Sequence, residues 1–120
     1  MDKLQALHSF WSGFTIPAYD ENSVPDSAVM PYITYEAAND YFGYPIGLTA
    51  SLWYRSTSWA DIEAKELEIA DAITRGGKIV GYTGGAFWIR KANPRAQRMT
   101  GENDDSVRRI VLNVEVEFLD

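Results

Sequence analysis

The sequence predicts an α+β domain: a single mixed, mostly antiparallel sheet of about five strands with two helices packed on it. Three observations carry this expectation. Val107 to Leu119 is the strongest strand signal, with Ile110, Leu112, Val114, Val116 and Phe118 on one face and Arg109, Val111, Asn113, Glu115 and Glu117 on the other. Ser58 to Arg75 instead repeats its apolar residues at helical spacing and stops at Gly76-Gly77. The chain has 120 residues, with no internal repeat and no low-complexity tract, so residues 1–120 read as one domain.

The elements follow in order. A first helix is expected from Asp2 to Trp11, capped by Asp2, with Leu4, Leu7, His8 and Trp11 on one face and Gly13 placed to end it. Phe14 to Ile16 is a candidate short strand. Pro17 to Pro31 is dense in Pro, Asp, Asn and Ser, and reads as loop or extended edge. Tyr32 to Ala38 reads as a strand with Ile33, Tyr35 and Ala37 on one face, and Asn39 to Gly47 as a connection. Leu48 to Arg55 alternates cleanly, with Leu48, Ala50, Leu52 and Tyr54 opposed to Thr49, Ser51, Trp53 and Arg55. Ser58 opens the second helix with a capping-box pattern to Asp61, and the stripe is Trp59, Ile62, Ile69, Ala70 and Ile73. Lys78 to Tyr82 and Ala86 to Lys91 form a hairpin around Thr83-Gly84-Gly85. Asn93 to Ser106 is polar and lacks periodicity, so it reads as a long loop before the last strand.

Composition removes whole classes of chemistry. There is no cysteine, which excludes disulfides, thiolate metal sites and thiol nucleophiles. The one histidine, His8, excludes any site built on two imidazoles. The apolar runs are far shorter than the ~20 residues that span a bilayer, and the N-terminus lacks a signal-peptide pattern, so no membrane association is expected. The net charge of −6 argues against nucleic-acid binding over the whole surface. That charge is uneven. Residues 1–50 carry six acids and one base, 76–100 five bases and no acid, and 101–120 six acids and two bases. Such asymmetry suits docking against partners or sister subunits.

No catalytic constellation emerges. The glycines from Gly76 to Gly85 lack the spacing of a phosphate loop and lie between a helix and a hairpin. Glu115 and Glu117 share a strand face and could do paired-carboxylate chemistry only within a pocket that the sequence does not supply. Glu102, Asp104 and Asp105 form an acidic loop without the spacing of a calcium site. No metal or cofactor is expected, and the chain does not read as an enzyme. His8 reads as a residue packing near Trp11.

Four features point to assembly instead. Glu66 falls inside the apolar stripe between Ile62 and Ile73, so it either reaches water or forms a salt bridge within or between subunits. Trp53 and Trp88 lie on faces that are core if the sheet is covered on both sides, and interface anchors otherwise. The run from Arg90 to Arg98 holds Lys91, Arg95 and Arg98 without interleaved aromatics, so it reads as a docking loop or a solvated loop and not as a base-stacking surface.

Extended stretches of the chain resemble a known family. They are Leu48-Thr49-Ala50-Ser51-Leu52-Trp53-Tyr54-Arg55-Ser56-Thr57-Ser58-Trp59, Gly76-Gly77-Lys78 through Ala86-Phe87-Trp88-Ile89-Arg90-Lys91, Leu7 through Pro31-Tyr32-Ile33-Thr34-Tyr35, and Arg95-Ala96-Gln97-Arg98-Met99 with Arg108-Arg109-Ile110-Val111-Leu112-Asn113. The chain resembles the minor capsid or tail terminator proteins of long, non-contractile-tailed phages and prophages. The resemblance implies a virion protein made in the host cytoplasm. It would form a homo-hexameric ring on the head-proximal end of the tail tube, assembling from chains that are monomeric in solution. Its partners would be the tail tube protein and a head-completion or connector protein, and DNA would pass through the lumen without specific binding. In that setting Arg95 and Arg98 are expected to meet acidic residues of the neighbouring subunit, and Glu102, Asp104 and Asp105 to line the lumen. The alternatives are a head-completion protein under the portal, and a small-ligand-binding module built on Trp53 and Trp88.

Overall fold

A computed structural model describes residues 1–38, 45–99 and 104–119. Helix α1 (Lys3–Trp11) begins as expected. The Asp2 carboxylate accepts from Gln5 N at 2.8 Å, and the Gln5 side chain accepts from Asp2 N at 2.9 Å, closing a capping box. The buried side is Ala6, Leu7, Phe10 and Trp11, whereas Leu4 and His8 are exposed. The face is rotated from the expected one because turning Phe10 inward buries a larger apolar surface.

The chain then makes a 3-10 turn over Ser12–Phe14, with Thr15 in the left-handed region at φ 67°. The short strand expected at Phe14 to Ile16 is therefore absent. It lies instead at β1 (Ala18–Asp20), within the proline-rich stretch read as loop or edge. Strand β2 (Tyr32–Tyr35) pairs with β1 in parallel, Ala18 with Ile33 and Asp20 with Tyr35. This strand raises the count to six.

Strand β3 (Pro45–Arg55) starts before Leu48, inside the expected connection, because its pairing to the final strand continues to Pro45. The rest of that connection, 39–44, lies outside the described residues. Helix α2 (Ala60–Ile73) begins two residues later than expected. Ser58 Oγ accepts from Ala60 N at 3.0 Å, but no reciprocal box with Asp61 forms. It ends before Arg75 because Thr74 takes φ 62°. Its C-terminal carbonyls need partners, and Lys91 Nζ donates to Ala70 O at 3.1 Å.

Strands β4 (Lys78–Tyr82) and β5 (Gly85–Arg98) form the expected hairpin, with Tyr82 opposite Gly85. Strand β5 runs on through most of the stretch read as a loop. A register shift between Lys91 and Ala96 inserts extra residues, and Pro94 sits in that irregularity, where the ladder requires no donor. The insertion breaks the period of two, which is why the alternation is invisible in the sequence. Strand β6 (Val107–Phe118) alternates as expected.

The sheet order is β1-β2-β3-β6-β5-β4, with every pairing after β1–β2 antiparallel. Ile33, Leu52, Ile89, Ile110, Val116, Phe87 and Phe118 bury on one face against Leu7, Trp11, Ile62, Ile69 and Ile73 of the two helices. Each large side chain removed from water there contributes about 1.5–3 kcal/mol. Both helices share that face, so among the described residues the opposite face of the sheet carries no helix.

Candidate functional site: the open sheet face and the groove between α2 and β5

The open face is set by strand parity. Residues whose neighbours enter the core, Leu52 and Ile110 for example, alternate with Trp53 and Arg109, which pair with each other across β3 and β6. The Arg109 guanidinium lies 4.6 Å from the Trp53 ring centre, and Trp53 Nε1 donates to Thr34 Oγ1 at 3.0 Å. Tyr32 approaches the same indole with ring centres 6.5 Å apart, and Tyr19 packs edge-on against Tyr32 at 5.7 Å. Arg109 also donates from Nε and Nη2 to Ser51 Oγ, each at 3.2 Å. The result is an aromatic stripe in which the Trp53 N–H is satisfied and the rings pack against one another.

A second stack lies at the other end of the face. The Arg90 guanidinium is 4.0 Å from the Trp88 ring centre, and Trp88 Nε1 donates to Gly76 O at 3.0 Å. Arg90 Nη2 sits 3.6 Å from both Glu115 and Glu117, so one cation is shared by the two carboxylates. These two acids share a single cation and form a net-negative surface cluster beside an indole. Trp53 pairs with Arg109 and Trp88 with Glu117, eight residues apart on β6, which is ~27 Å along a strand. The two indoles therefore do not line one small-ligand pocket.

On the helix face, Glu66 and Arg95 meet directly. Arg95 Nε donates to Glu66 Oε1 at 2.7 Å, and the Glu66 side chain is only 4% exposed. That hydrogen bond and the carboxylate's charge raise the Arg95 pKa above the usual guanidinium value. Arg98 Nε pairs in the same way with Glu63 Oε1 at 2.7 Å. Trp59 stacks under two guanidiniums, Arg98 at 4.5 Å and Arg108 at 5.3 Å from its ring centre. Together with Lys91 and Ile110, Glu63, Glu66, Arg95 and Arg98 line a groove of about 590 Å³ between α2 and β5. Arg95 and Arg98 are thus held by acids of their own chain, and Glu66 is buried and paired within the chain. Glu63 was not singled out in the sequence; its i,i+3 relation to Glu66 places both on one helix face and was the available signal.

Asp104 and Asp105 are exposed. Asp104 accepts from Ser106 Oγ at 2.6 Å and Ser106 N at 2.9 Å, with Arg55 at 3.3 Å, and these interactions hold its carboxyl below the usual range. The Asp105 carbonyl accepts from Arg108 Nη1. Glu102 lies outside the described residues. His8 bridges two hydroxyls, Tyr35 at Nδ1 (2.9 Å) and Ser12 at Nε2 (3.1 Å). The chain of groups resembles a nucleophile relay, but Ser12 is the C-cap of α1. Carbonyl oxygens project there, and a developing negative charge is disfavoured. Burial and the Asp20 carboxylate push the Tyr35 phenol up. Among the described residues no group of three or more His, Asp or Glu could hold a metal, and no helix is long and apolar enough to cross a membrane.

No protein-family model matches the chain, and no curated protein matches it. Among solved structures, the chain is similar to a chain in the virion of a native gene transfer agent (GTA) particle, with a TM-score of 0.61 and 17% sequence identity. The likeness covers 98% of this chain and 85% of the other, and it is a likeness of fold.

Proposed function

We propose that this chain is a structural virion protein that caps the head-proximal end of a phage tail tube as a homo-hexameric ring. The ring ends tube polymerisation and provides the surface on which the head attaches. The observation that carries the reading is the fold likeness to a virion chain over 98% of the length, at a TM-score of 0.61. The open sheet face supports it. Its half-buried residues are Trp, Tyr and Arg, types enriched at protein interfaces, and the two indole N–H groups and Arg109 already have partners in Thr34, Gly76 and Ser51. Such a surface is preorganised, so docking fixes few further rotamers. The partners on this reading are other copies of the chain, the tail tube protein and a head-completion or connector protein, with DNA passing through the lumen. The protein resides in the virion tail and needs no cofactor.

The test is electron microscopy of lysates from the parent phage lacking this gene. Overlong tails beside tailless, DNA-filled heads are expected, because tube growth has lost its stop. Normal-length tails beside leaking heads overturn the terminator role in favour of head completion under the portal. Intact virions overturn the virion reading altogether.

A further inference from the structure

A second depression lies on the helix face, apart from the groove between α2 and β5. Ser9, Phe10, Phe14, Ala72, Lys78 and Val80 line a cleft of about 320 Å³ between the two helices and β4. Its floor is apolar, and Phe10 and Phe14 pack edge-on there with ring centres 5.5 Å apart. Its rim is cationic. Lys78 leans over the Phe10 ring, with Nζ 6.0 Å from the ring centre, and makes no ion pair among the described residues. Lys65, which donates to Phe14 O at 2.8 Å, is by contrast held by Glu68 at 3.0 Å. The cleft therefore fits an apolar side chain that carries a carboxylate beside it, because the floor gains by excluding water and Lys78 gains an opposite charge.

The chain presents such a pair itself. From Asp20 to Pro31 there are three acids and no base. A turn in that stretch, closed by Ala28 N donating to Pro25 O at 3.0 Å, brings Asp26 and Val29 near each other. Val29 is 76% exposed, more than any other large apolar side chain among the described residues. Asp26 is exposed and makes no ion pair among the described residues. At that exposure Val29 does not fill the cleft of its own chain.

We propose that the turn from Asp26 to Val29 of one copy docks into the cleft of the next, with Val29 against Phe10 and Phe14 and Asp26 on Lys78. The contact joins two different surfaces, so it is heterologous and passes from copy to copy until a ring closes. It deepens the ring reading, on which it rests for the presence of further copies.

The chain has no cysteine, so introduced thiols report without background. Ser9→Cys places one at the exposed rim of the cleft, and Val29→Cys places one on the turn. In particles assembled from a chain carrying both, a short bismaleimide is expected to give a ladder of covalent oligomers beyond the dimer, which neither single variant gives. Adding Lys78→Glu is expected to cut the ladder at least fivefold, and adding Asp26→Lys as well to restore it. Both charged residues are exposed, so unchanged thermal unfolding verifies the fold of each variant. A link within one chain, or a ladder indifferent to charge reversal, overturns the inference. Particles with tails of normal length but no ladder overturn the turn-and-cleft contact and leave the ring reading standing. A ladder, where deletion of the gene leaves tails normal, does the reverse.

Discussion

Arg95 Nε lies 2.7 Å from Glu66 Oε1, yet Arg95 is 48% exposed and Glu66 only 4%. The pair is asymmetric: the base can return to water and the acid cannot. Removing the base strands a buried carboxylate, which costs several kcal/mol in a dry site. The adjoining groove admits water, so Arg95→Ala is expected to cost about 2–3 kcal/mol. Glu66→Gln is expected to cost less than Arg95→Ala, because a neutral amide tolerates burial better. Chemical denaturation of the single and double variants gives the coupling energy. Equal costs for the two single changes would show that the carboxylate is hydrated. The same asymmetry makes reversal of Arg95 to a carboxylate a poor probe of assembly, since it sets like charges together inside one chain.

Gly77 combines two demands. Its φ is +88°, and a Cβ there would meet the Trp88 indole nitrogen and stand 2.8 Å from Ile89 O. Gly77→Ala is expected to destabilise by about 2–3 kcal/mol through backbone strain and displacement of the ring. Thermal unfolding measures it, and loss of the Trp88–Gly76 hydrogen bond would show as altered tryptophan fluorescence. Gly81→Ala, where nothing lies within 4 Å of the added carbon, is the matched control.

Lys91 reaches from β5 to the last turn of α2. Lys91→Met keeps the stem and deletes the ammonium, so Ala70 O retains only Thr74 N at 3.3 Å. A loss of about 1 kcal/mol is expected, with faster amide exchange confined to the end of α2. Unchanged exchange there would show that the lysine does not hold the helix end.

Asp104 contributes a pH dependence of its own. Its folded pKa is depressed by Ser106, then by Arg55. A depressed carboxyl contributes stability above its unfolded pKa and loses it as pH falls through the lower folded value. The contribution is therefore intact at neutral pH and disappears only in acid, below the usual carboxylate range. Ser106→Ala is expected to move the Asp104 titration upward toward the usual value by NMR. A titration that stays in place would assign the depression to Arg55 instead.

The alternation of β6 and β3, the helical stripe of α2 and the Thr83-Gly84 turn were legible because each is a local pattern. Buried Leu112, Val114 and Val116 lie where their period of two puts them. β1 was not legible. Three residues carry no period, and it exists as a strand only through pairing with Ile33 and Tyr35. The extension of β5 was hidden for the opposite reason: it has length, but its irregularity between Lys91 and Ala96 resets the phase.

The candidate site divides in the same way. Trp53, Trp88 and Glu66 were visible as residues out of place in their own patterns. The partners that give them meaning were not, because Arg109 reaches Trp53 through the β3–β6 register and Arg95 reaches Glu66 across 29 positions. By itself the sequence determined the α+β class, most strands, both helices and the absence of thiol chemistry, since propensity and periodicity act over a few residues. Only the tertiary structure decided the sixth strand, which face lies open and which acids consume the basic stretch. Those depend on register and packing between distant segments, where free energy is set by contacts that no local pattern encodes.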